Sequence, residues 1–555
     1  MAHGRAVACA CALALSLHPY RASGAETLHV LDCKSQSILA VDPETGSILR
    51  ESRLPATPDR ALVSPDGRRL VVLNRVDASQ GFGFGYPMRA PSSISVVDLE
   101  SLSASAPIEL GWGIPDMQLG RKTIGFRPRW GTEGIRISRS GSHLYALMPG
   151  HKEHPAQLAV VDLGAAKLAG ALPLDREGGR ILAGEGGRAV LFFEAHKPKK
   201  GSPVLPELRL FEPGWAQPKV LALDREPASI VASTDRSRVY VLDHGGPSGG
   251  RLRAVSALDL AIESTLDLPG PARAVVLDVE GERQLVLGSH EVYVVDGART
   301  IATLPTGKPP ILVRRTPKLL LVGTPGSLLG FEAGSFHTAG EVAIKGRVER
   351  LAIAPDGRRA FALTRESPEA FGLLHVVDLE SWNLVATAQT GNSGKVEIEA
   401  AMLYAQQRML QPWTGLAPMR QLDPRNDPSL FVEPEGKSVF VFNSKSSDFT
   451  VVDAASGKVL KTVGMGRETP RMVGGGEILV GSGDRRVHVL ETATLKTRTI
   501  SFGMSGLFEA IEVSPSSARV AVVATDEVTV IDGKTGQEIS KVRDVKPCGA
   551  AFTAR

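Results

Sequence analysis

Five of the chain's twelve histidines recur at one kind of place. His151, His154, His196, His244 and His290 each lie at or just after the end of a short apolar segment. Imidazoles gathered from several such ends would bind a transition metal. That requires a fold which returns each segment end to one place. Polar loop starts also attract histidine, and scattered surface histidines would give the same pattern. Other catalytic spacings fail. GPSGG (Gly246 to Gly250) fits G-x-S-x-G, but it lies in a glycine-rich loop with no following helix to make a nucleophile elbow. GFGFGY lacks the spacing and strand–helix context of a dinucleotide site. No zinc, EF-hand, P-loop or haem-attachment motif occurs. No cofactor is therefore expected from motifs, and a transition metal at the histidines is the one candidate.

A second set suits recognition. Only 5% of residues are aromatic, yet Phe82, Phe84, Tyr86, Trp112, Trp130 and Trp413 fall in long polar segments. Arg127 and neighbouring cations stand beside them. Aromatics next to arginine are the composition of a binding surface. The same residues could instead pack their loops against the body of the protein.

The elements that would position both sets form a repeat. An apolar strand (a) leads through a tight turn to a second apolar strand (b). A variable loop follows, then a strand (c) ending in Val-Asp or a relative, a second turn, and an alternating strand (d). The clearest copy is FVEPEGKSVFVFNSKSSDFTVVDAASGKVLKTVGMG, from Phe431 to Gly466. Others begin near Ala61, Ile135, Ile181, Ile230, Ala274, Ile311, Leu351, Met472 and Ala510. With a headless copy at the start, the count is about eleven. Four short strands per unit of roughly 40 residues indicate an all-β fold, a β-propeller. SPDG and APDG are hairpin turns between strands a and b. The Asp that ends strand c in VVDLES, VVDAASG and VIDGKTG is expected to cap its turn rather than bind metal.

The opening copy, LHVLDCKSQSILAVD, lacks strand a, and the last residues, PCGAAFTA, are a strand a without a blade. Pairing the two closes a ring and removes two sheet edges. Aligning PCGAAFTA with PDRALVSP, and LHVLDC with LVVLNR, puts Cys548 at the Asp59 position and Cys33 at the Arg75 position. These positions lie opposite each other across a hairpin, so a Cys33–Cys548 disulfide is expected.

SPDGRRLVVLN with SISVVDLESL, and EPEGKSVFVFN with FTVVDAASGKVLKTV, resemble the YVTN-type bacterial β-propeller repeat proteins. The resemblance covers nearly all of segment 26–555 and speaks to fold rather than activity. Such rings usually have four to eight blades, which implies that about eleven units divide into two rings. Some periplasmic propeller enzymes bind copper through rings of histidine of this general kind. AVDPETGSILR resembles the repeat of pyrroloquinoline-quinone propellers, but Arg50, Lys461 and Ser540 stand where those repeats place tryptophan.

Blade geometry puts b–c and d–a connections on one face. The extra length falls there, as insertions at 76–92, 111–134 and 391–428. A helix is expected over 397–411. Residues 1–25 read as a secretory signal, with Arg5, an apolar run from Val7 to Leu17 and small residues before a cleavage after Ala25. Its loss lowers the formal charge from +4 to +2, which does not indicate nucleic acid as a partner. No later run is apolar for long enough to span a bilayer as a helix. The expectation is a periplasmic or secreted monomer, without enzymatic activity, that binds a protein, glycan or small ligand on the insertion face. The alternative is a periplasmic enzyme, a His-metal oxidoreductase or a lactonase-like hydrolase, with its site at the ring axis.

Overall fold

Strands that are apolar at nearly every position must be covered on both faces, and such strands fill the interior. A computed structural model describes residues 26–554 except 75–89, 125–134, 149–154, 196–203, 392–429, 465–470, 502–507 and shorter stretches of at most four residues. The chain is an all-β propeller with nine four-stranded antiparallel blades, a six-stranded sheet and a two-stranded ribbon. Blade 1 combines Glu26–Asp32, Ser37–Val41 and Ile48–Arg53 with the terminal strand Pro547–Ala554. Blades 2 to 6 follow in order over 58–113, 135–174, 180–222, 227–267 and 272–305. The six-stranded sheet spans 312–389, and blades 7 to 9 span 430–464, 471–501 and 508–542.

Strand b shows why the fold is layered. Ser438–Asn443 (SVFVFN) is buried at every residue, because each sheet is covered by a neighbour on both sides. Strand d is the outer edge, and Ile48–Arg53 is exposed almost throughout. The first strands of successive sheets lie against one another, so strand a forms the hub. Hydrophobic clusters join blade 1 to 2, 2 to 3, 3 to 4, 4 to 5 and 5 to 6. The six-stranded sheet bridges blades 6 and 7, and further clusters join 7 to 8, 8 to 9 and 9 to 1.

The expected eleven units in two rings are not what the sheets present. The repeats beginning at Ile311 and Leu351 share the six-stranded sheet. In it Leu319–Glu332 folds back on itself, so that the Ala333 N–H meets the Lys318 carbonyl (2.8 Å), and Thr338–Ile353 carries the ladder from one repeat into the next. Each bends at a glycine in the left-handed region, Gly326 (φ 89°) and Gly346 (φ 90°). Glycine tolerates that conformation, and the ladder continues past a shift of register. The clusters also succeed one another in chain order, with no second circuit among the described residues.

The terminal strand pairs antiparallel with Glu26–Asp32, from Glu26 opposite Ala554 to Asp32 opposite Pro547. Cys548 occupies a bulge between the partners of Leu31 and Asp32. It is bonded to Cys33 with the Cα atoms 5.8 Å apart, which is the expected disulfide. Replacing both cysteines by serine should cost about 2–4 kcal/mol, because the bond restrains nearly the whole unfolded chain. Urea unfolding of the double variant and of reduced wild type should shift together. A variant as stable as the oxidised protein would leave the bond no such role.

Tight turns close the ends of the strands opposite the long connections. Asp98, Asp378, Asp453 and Asp532 accept bonds from the backbone N–H groups of Ser101, Ser381, Ser456 and Thr535 at 2.7–2.8 Å. The bond from Ser101 is the main reason that the Asp98 carboxyl lies below its usual range. These aspartates cap turns, as the sequence implies.

Candidate functional site

The long connections all leave from the b–c and d–a ends of the strands. Beneath them six of the sheets carry a buried polar side chain two or three residues before the end of strand c. It is Ser95, Arg209, Arg253, Tyr293, His375 or Thr450 in successive examples, and all six are buried. Together they form a polar collar under the insertion face.

Each member is bonded. Asn74 donates to Ser95 (3.2 Å) and, in blade 7, Asn443 donates to Thr450 (3.2 Å). Arg209 donates to Asp175 at 2.7 and 2.9 Å and to Glu207 at 2.6 Å, and it lies 4.7 Å over the Phe193 ring. Burial lowers its proton affinity, but the two carboxylates more than offset this and hold the guanidinium above its usual range. Arg253 donates to both oxygens of Asp243 at 3.0 and 2.8 Å, with both side chains under a tenth exposed. Tyr293 donates to Glu291 (2.9 Å), and burial followed by that carboxylate pushes the phenol up to about 12.

His375 lies between Thr364 and Thr387, with each hydroxyl 2.9 Å from a ring nitrogen, and its Nε2 is also 3.1 Å from the Lys345 carbonyl. Burial holds its pKa below the ordinary value. The unfolded chain therefore binds a proton near pH 6.5 that the folded chain refuses. Stability is fully present above that pH and falls, by about 1.4 kcal/mol per unit at most, as pH drops towards the folded pKa. Urea unfolding from pH 7.5 to pH 5 should show this loss, and His375→Gln should flatten it. An equal slope in the variant would contradict this assignment.

Chemically, the collar neutralises its own charges and fixes the strand ends. Its carboxylates are held by arginines or a phenol, so it positions the connections above it rather than supplying a nucleophile or base. Sequence reading missed it, although a polar residue inside an apolar strand c was a visible signal in ELRLF, GGRLRAVS and LLHVVD.

The sequence-derived candidates divide differently. Phe82, Phe84, Tyr86, Arg127, Trp130 and Trp413 lie outside the described residues, as do the expected helix 397–411 and the signal segment 1–25. Trp112 belongs to strand Ile108–Gly113, where its backbone pairs with Pro91. His151, His154 and His196 are also outside the described residues. His244 lies on strand Arg238–Gly246, and His290 is exposed with Nδ1 3.2 Å from the Gly307 carbonyl. Among the described residues no group of three or more His, Cys, Asp or Glu is placed to hold a metal. Strands b and c of blade 5 reach Gly246 and Gly249, which lie opposite each other, and Gly249 (φ 101°) permits this.

No protein-family model and no curated protein matches the chain, so the YVTN likeness stands as a likeness of repeats. Among solved structures, dihydro-heme d1 dehydrogenase NirN in complex with DHE aligns at 14% identity, with a TM-score of 0.32, over 66% of this chain and 73% of that one. A eukaryotic initiation factor aligns at 14% identity, with a TM-score of 0.38, over 64% and 84%. Scores this low carry no argument, and the propeller reading rests on the chain's own sheets. Among the described residues no helix is long and apolar enough to cross a membrane.

Proposed function

We propose that the chain is an exported propeller scaffold that captures a protein, glycan or small ligand on its insertion face. The terminal strand completes blade 1, and the Cys33–Cys548 bond ties it there. The observation that carries this reading is the difference between the two faces. One is sealed by short turns whose aspartates are spent on their own backbone. The other holds the strand ends joined by the long connections 75–89 and 392–429, over a collar of hydrogen-bonded polar groups. Variable connections on a rigid frame are where recognition is built, and preorganisation lowers the ordering cost of binding. The disulfide favours an oxidising compartment.

The test screens the immobilised oxidised chain against a glycan array and defined metabolite mixtures. The comparison is a chain in which 75–89 and 392–429 are replaced by Gly-Ser connections of about ten residues. Ligands lost by the shortened chain at unchanged thermal stability support the proposal. Ligands that it retains at full affinity overturn it.

A further inference from the structure

We propose that the hub wall formed by blade 6 and the six-stranded sheet binds a small ligand with two or more separated oxyanion groups, through Arg273, Arg314, Arg347 and Arg350. This site lies on the inner strands rather than on the loops and goes beyond the loop-face reading above. The four arginines lie on successive inner strands, Ala272–Leu277, Leu312–Arg315 and the second half of Thr338–Ile353. These strands are neighbours: Ala274, Val276 and Val313 pack on one cluster, and Leu312, Leu351 and Ile353 belong to the next.

Arg273, Arg314 and Arg347 are exposed, and none of the three has an ion-pair partner among the described residues. The nearby carboxylates are already engaged. Asp278 is held by Arg315, Glu349 by Arg365 and Glu366 by Lys345. Burial, and then the charge of Arg365 against the opposing pull of Glu349, leaves the half-buried Arg350 guanidinium below its usual range.

The spacing selects the kind of anion. Counted back from the turns that close at Thr316, Ala354 and Asp278, Arg314 lies two residues away, Arg350 four, Arg273 five and Arg347 seven. At about 3.3 Å per residue this staggers them over roughly 16 Å. That is too far for one ion, and it suits carboxylate or phosphate groups set apart on one molecule. Guanidinium forks grip such groups bidentately, and like charges collected on one wall focus the field for an anion.

The test is isothermal titration of the full oxidised chain with citrate and with inositol hexakisphosphate, at about 25 and 150 mM salt. Saturable binding at low salt is expected with at least one probe, and the tighter probe tells carboxylate from phosphate recognition. Arg314→Gln/Arg347→Gln should weaken it at least about tenfold, with circular dichroism and thermal midpoint unchanged. Arg53→Gln, an exposed arginine on the outer strand of blade 1, should not. No saturable binding of either probe, or equal affinity in the double variant, overturns the inference. Anion binding kept by the loop-shortened chain but lost by the arginine variant would preserve this wall and remove the loop face. Loop-dependent ligands without anion binding would do the reverse.

Discussion

A chain ending at Lys546 is expected to lose most of its stability and to associate through the strand left bare. Pro547–Ala554 supplies blade 1 with its inner strand, and Ala550, Ala551 and Phe552 are buried against blades 9 and 2. Burying Phe552 alone is worth about 2–3 kcal/mol. The truncation also breaks the Cys33 bond, worth about 2–4 kcal/mol, and leaves Leu28 and Val30 on an open edge. A combined loss above about 5 kcal/mol is comparable with the whole stability of many domains. Size-exclusion chromatography and thermal unfolding of the truncated chain would show aggregation, or a midpoint far below wild type. A monomer of near-wild-type midpoint would show that blade 1 stands without its terminal strand.

Asp243→Ala is expected to cost about 3–5 kcal/mol, because it leaves the Arg253 guanidinium buried without its counter-charge. The two lie on neighbouring strands, one step diagonal to each other on the same face: Arg253 is opposite Val241, and Asp243 is opposite Arg251. Neither can reach water without opening the blade. Replacing both by leucine should recover most of the loss, since an apolar pair of similar volume needs no desolvation to be overcome. Urea unfolding of the single and double variants forms the cycle. A single variant within about 1 kcal/mol of wild type would mean that the pair is better solvated than its burial indicates.

Much of the fold was legible in the sequence because a blade repeats its own punctuation. SPDG-type turns, the Asp that ends strand c and the continuous apolar run of strand b each follow from local backbone demands that recur. The Cys33–Cys548 pairing was legible for the same reason, since aligning the repeats puts Cys548 on the inner-strand position where other blades bulge, as between Pro58 and Arg60. The sheet count was not. Gly326 and Gly346 resemble loop glycines in sequence, and only the ladder shows that the strands on either side of them belong to one six-stranded sheet.

The candidate site was legible only in part. Connection lengths identify the insertion face, because strand order fixes which ends they join. The collar escaped notice because its partners are set by register across strands. Asp243 and Arg253 are ten residues apart in sequence, and Arg209 and Asp175 are separated by 34 residues. The arginine wall is more distributed still, with its members on three inner strands and no shared motif.

The most direct test of the account is hydrogen–deuterium exchange of the oxidised full chain with and without the strongest ligand from the binding screen. The account predicts added protection at the b–c and d–a ends of the strands, in peptides containing Asn74, Arg209, Arg365 or Cys548. Protection confined to the opposite turns, Ser64–Arg69, Ala354–Arg359 and Glu433–Ser438, would place the binding surface on the sealed face and contradict it.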